Sequence, residues 1–83
     1  MKTIKVKVKD KSGKVMETAK VNLDLDAPHY FESSFEAMTD TFGIAMFNIN
    51  AHDFSFITGG IIKVNNEFAG SFNPKTKSYS VTV

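Results

Sequence analysis

The chain has 83 residues, enough for one small domain, and a formal net charge of +1. Its 42% hydrophobic and 23% charged residues describe a folded globular domain rather than a disordered segment. Without cysteine it can form neither disulfides nor thiolate metal sites, and no apolar run approaches the roughly 18 residues that a membrane helix needs.

At the start, Ile4, Val6 and Val8 alternate with Lys5, Lys7 and Lys9. This is the period-two pattern of a strand with one wet face. The same opening stretch lacks the apolar block of a secretory signal. Two locations are therefore expected: synthesis and action in the cytoplasm, with incorporation into a virion, or a mature or excised extracellular domain. Asp10-Lys11-Ser12-Gly13 turns the chain, and a second alternation follows with Ala19, Val21, Leu23 and Leu25 on one face. Pro28 ends that strand because proline supplies no ladder donor. Residues 26–33 then form the longest irregular connection, and it combines His29, Tyr30, Phe31 and Glu32.

Residues 34–38 read as a strand, followed by a second Asp–Gly turn at Asp40 and Gly43. Ala45, Phe47 and Ile49 share one face of the next strand. Asn50 to Asp53 reads as a turn, residues 54–58 as a strand, and Gly59-Gly60 as a break. Strands at 61–64 and 67–72 flank Asn65-Asn66, a tight hairpin in which asparagine tolerates left-handed angles, and Phe47, Phe54, Phe56, Phe68, Phe72 and Tyr79 are expected in core strands. Asn73-Pro74 turns into a last strand carrying Tyr79, Val81 and Val83 on one face. These elements predict one all-β domain over residues 1–83, with about seven or eight short antiparallel strands in two layers.

Charge is unevenly distributed. Residues 1–20 hold seven lysines against Asp10 and Glu17, a net +5, whereas residues 21–60 hold six acids and no lysine. The expectation is that these blocks meet across strands and neutralise one another. The alternating lysines of the first strand are expected to guard a sheet edge against pairing with another chain.

The order Asp10-Lys-Ser-Gly13-Lys-Val15, Ala19-Lys-Val21-Asn-Leu23 and then Thr39-Asp40-Thr-Phe-Gly43-Ile-Ala45-Met-Phe47-Asn-Ile49 resembles a known plan. It is similar to transthyretin-like modules, such as carboxypeptidase regulatory-like domains and the B-type domains of bacterial adhesins. It also resembles bacterial immunoglobulin-like domains of invasins and intimins. The resemblance spans residues 4–49 and implies an immunoglobulin-like (transthyretin-like) β-sandwich. In the adhesin modules a Lys–Asn isopeptide bond often forms. Here the first-strand lysines should face water and the last strand holds no asparagine, so no such bond is expected.

Catalytic machinery is not expected. There is no Gly-x-Ser-x-Gly elbow and no phosphate loop, and a domain this small has little volume for a pocket. His29 with Glu32 and His52 with Asp53 could hold zinc only if two loops met. Asp24-Leu25-Asp26 lacks the glycine-bearing loop of a calcium site. No cofactor and no metal site is expected. Arginine is absent, so nucleic-acid reading is not expected either. The sequence leads instead to a non-enzymatic structural or attachment module, an accessory component of a larger assembly such as a phage virion decoration or tail protein. A partner protein or self-assembly is expected, with His29, Tyr30, Phe31 and Glu32 as the contact residues. The alternatives are an excised adhesin domain binding protein or glycan, and a small metal- or ligand-binding module.

Overall fold

The computed structural model describes residues 1–28 and 33–83. Among the described residues seven strands run in chain order: β1 Lys2–Lys9, β2 Lys20–Asp26, β3 Ser34–Met38, β4 Ile44–Ile49, β5 Gly59–Val64, β6 Glu67–Phe72 and β7 Ser78–Thr82. One short helix, α1 Ala51–Phe54, separates β4 from β5. The strands form two sheets, a three-stranded one ordered β4-β1-β7 and a four-stranded one ordered β3-β2-β5-β6. All pairings are antiparallel except β1 with β7, which is parallel. That pair corrects the expectation of a purely antiparallel fold. First and last strands lie side by side because the intervening chain crosses to the other sheet and back.

The two alternations do what their period requires. Ile4, Val6 and Val8 on β1, Val21, Leu23 and Leu25 on β2, and Ala45, Phe47 and Ile49 on β4 all turn into one buried cluster. Ile62, Val64, Phe72 and Val81 complete it from the remaining strands. Both sheets therefore share a single core, and removing its apolar surface from water is the main stabilising term.

Asp10 and Asp40 build the same turn twice. Each carboxylate accepts two backbone N–H groups, from Ser12 and Lys14 or from Phe42 and Ile44, at 2.8–3.0 Å. Each turn closes with a glycine N–H on the aspartate carbonyl at 3.0 Å, and both glycines have positive φ. The Asn65-Asn66 hairpin also forms as expected, with φ of 50° and 70°.

Residues 54–58 do not form a strand. Asn50 Oδ1 accepts the N–H groups of His52 and Asp53 and so caps α1. Phe54 and Ile57, three apart, turn inward, while Phe56 is 40% exposed. Gly59 and Gly60 open β5 instead of breaking it. A Cβ at Gly60 would stand 2.5 Å from the Asp24 carbonyl oxygen, so the close approach of β2 admits only glycine. Phe68, expected in the core, is 65% exposed. The β5–β6 register slips between Ile62 and Lys63, pairing Phe68 with Lys63 on the outer face.

Thr39 is a buried polar residue that sequence reasoning passed over. Its hydroxyl accepts Ala19 N–H at 2.8 Å and donates to the Met16 carbonyl at 2.7 Å. It thereby ties the start of β2 to the end of β3.

Candidate interaction face

The outer face of the three-stranded sheet follows from the register. Residues on β1 that alternate with the core are Thr3, Lys5, Lys7 and Lys9. Beside them lie Asn48, Met46 and Ile44 on β4, and Ser78, Ser80 and Thr82 on β7. Neither flanking strand carries a charge: they read IAMFNI and SYSVT. β1 is thus the middle strand of its sheet, so its lysines do not guard an edge, contrary to the sequence expectation. The expected cross-strand neutralisation also fails here, because no acid faces these lysines across either ladder.

Successive outward positions on a strand are about 7 Å apart, within the Debye length of about 8 Å at physiological salt. The fields of Lys5, Lys7 and Lys9 therefore add. Between Lys5, Lys7, Ile44, Ser78, Tyr79 and Ser80 lies an open depression of about 310 Å³. Met46 next to it is 52% exposed, and Phe42, in the turn that enters β4, is 70% exposed. The face therefore joins one sign of charge to exposed apolar side chains.

Its floor is rigid. The Tyr79 phenol accepts Asn73 N–H at 3.0 Å and lies 2.6 and 2.7 Å from the Asn73 and Thr76 carbonyls, to which it donates. Its ring stacks on Phe72 at 5.4 Å. Partial burial of the phenol raises its pKa above the ordinary tyrosine value.

The opposite outer face is mixed. Lys63 Nζ pairs with Asp24 Oδ2 at 3.1 Å, and Asp24 also accepts the Ser34 hydroxyl at 3.1 Å. The acid once considered for calcium is thus engaged within the sheet. Among the described residues no group of three His, Cys, Asp or Glu side chains gathers to hold a metal. His52 sits on α1 with its ring edge-on to Phe56 at 5.3 Å.

His29, Tyr30, Phe31 and Glu32 lie outside the described residues. The ends of their connection are held by the sheet, with Leu25 N–H on the Ser33 carbonyl at 2.7 Å and Thr58 N–H on the Asp26 carbonyl at 3.0 Å. The lysine row was visible in the sequence. Its meeting with Met46 and Ile44 was not, because that depends on which strand pairs with β1.

Neither a protein-family model nor a curated protein sequence matches the chain.

Proposed function

We propose that the chain is a non-enzymatic attachment module that docks an acidic protein surface on the outer face of its three-stranded sheet. The observation that carries this reading is the row Lys5, Lys7 and Lys9 with no acid on either neighbouring strand, bordered by Met46 and Ile44. Charge of one sign speeds encounter with an oppositely charged partner, and the apolar border supplies area that loses water on contact. In a larger assembly such a module would be an accessory component, such as a virion decoration or tail protein. Of the families in the resemblance, the transthyretin-like one is the reading adopted. β1 and β2 lie in different sheets, whereas strands A and B of a constant-type immunoglobulin domain share one. Tyr30 and Phe31, flanked by His29 and Glu32, remain proposed as a further contact on the grounds of their composition.

The test is co-sedimentation with the particle fraction of the cells that make the protein, at low and high salt. Release at high salt, and loss of binding in Lys5→Glu/Lys7→Glu with an unchanged melting temperature, would support the reading. Unaltered binding by that variant would refute it, as would tight binding of the wild type to random duplex DNA.

A further inference from the structure

Antiparallel strands turn the N–H and C=O of alternate residues to alternate sides. On β1 the N–H of Lys5 goes to the Lys77 carbonyl at 2.9 Å, on the β7 side, while that of Val8 goes to the Gly43 carbonyl at 2.8 Å, on the β4 side. Even-numbered β1 residues therefore serve β4. The residues opposite the odd ones, Ile44, Met46 and Asn48, turn their backbone groups away from β1. Ile44 is already satisfied, since its N–H meets Asp40 Oδ1 and its carbonyl accepts Asp40 N–H, both at 3.0 Å. Beyond the strand, the Asn50 carbonyl accepts Phe54 N–H at 2.8 Å. Among the described residues the open edge of β4 thus reduces to two N–H and two C=O groups, those of Met46 and Asn48.

This edge lacks the usual protection. β3 carries Glu36 at its centre, the β5–β6 ladder is broken by a bulge, and β7 is preceded by Lys75 and Lys77. From Thr41 through Ala51 no residue is charged. The β1–β4 register runs unbroken over six pairs.

We propose that two copies of the chain pair antiparallel along β4, with Met46 of each facing Asn48 of the other across a two-fold axis at Phe47. In this register the two copies satisfy all four open groups of each edge. Placing Met46 opposite Met46 would leave each Asn48 facing an Ile44 whose groups are already used. A neutral edge suits a second neutral edge, and a two-fold contact needs the same patch to complement itself. The lysine rows do not oppose it, because the two β1 strands would be three strand spacings apart, about 14 Å, beyond the Debye length. The result is one six-stranded sheet with two lysine rows flanking an uncharged seam. The pairing builds on the docking reading by doubling its face, yet it stands or falls separately.

Sedimentation equilibrium of the whole chain up to about 1 mM tests it. The expected mass is twice 9.2 kDa. Met46→Pro removes an outward N–H that the monomer does not use, and should lower association at least tenfold while the circular dichroism is unchanged. Met46→Lys should weaken pairing, and Met46→Lys/Asn48→Asp should restore it, because the predicted register sets each new lysine beside a new aspartate. A monomer at every concentration overturns the proposal. So does a dimer indifferent to Met46→Pro and Met46→Lys, or one that the double variant fails to restore. Dimerisation without particle binding would retain this pairing and refute the docking reading; binding by a strict monomer would do the reverse.

Discussion

Gly13 and Gly43 occupy the same position in two copies of one turn, yet replacing them by alanine should have unequal effects. Both have positive φ, +89° and +76°, so an alanine at either meets the backbone strain of the left-handed region, about 1–2 kcal/mol. At Gly13 a Cβ would find nothing within 4 Å. At Gly43 it would stand 2.9 Å from both Val15 Cβ and the Val8 carbonyl oxygen, and 3.3 Å from Met16 N. Two of those three atoms are backbone and cannot rotate away. Shifting the turn to relieve them would strain the 2.8 Å bond from Val8 N–H to the Gly43 carbonyl. Overpacking of this kind adds about 1–3 kcal/mol, so Gly43→Ala should lose about 2–5 kcal/mol in total. The difference between the variants, about 2 kcal/mol, corresponds to roughly 8–16 °C in melting temperature for a domain of this size. Urea unfolding with matched slopes measures it. Equal losses for the two variants would refute the steric argument and leave backbone strain as the whole effect.

Phe47→Ala should lose about 3–5 kcal/mol by opening a cavity between the sheets, enough to unfold much of the population; a fully folded variant would place the ring outside the core. Thr39→Val keeps the side-chain shape but leaves Ala19 N–H and the Met16 carbonyl without their partner, a loss of about 2–4 kcal/mol checked by urea unfolding. Asp24→Asn should change stability by less than about 1 kcal/mol, since the Lys63 pair is more than one-third exposed on both sides. The Ser12 hydroxyl first, and then the Lys14 N–H, hold the Asp10 carboxyl below the ordinary aspartate range. Its folded pKa is therefore below its unfolded one, so its contribution is present at neutral pH and fades as pH falls below about 4. Urea midpoints measured against pH should fall less steeply for Asp10→Asn than for the wild type, and parallel curves would contradict this.

The alternating strands were legible because period two leaves little choice of face once one side is apolar. Val6, Val8, Val21, Leu23, Phe47 and Val81 could all be placed in the core from spacing alone. The Asp–Gly turns and the Asn-Asn hairpin were legible for the same local reason, since each needs a positive φ that only a few residues tolerate. Misreadings arose where a tertiary partner decided the outcome. Phe54 and Phe56 look like strand alternation, but the Asn50 cap and the inward pair Phe54 and Ile57 select a helical turn. Phe68 was misplaced because a bulge at Ala69, in its own strand, turned it outward. Most consequentially, the lysine strand was read as an edge, whereas its pairing with both β4 and β7 makes it central. Strand order is set by non-local contacts, and no local pattern in residues 2–9 encodes it.

The docking face is tested most directly by amide hydrogen exchange on the protein bound to its particle and on the free protein. The account predicts slower exchange confined to β1 from Lys5 to Lys9, to Ile44 through Met46 and to Ser78 through Ser80, with the outer residues of β2 and β5 unchanged. Protection confined to Asn22, Asp24 and Lys63 on the opposite sheet would contradict it.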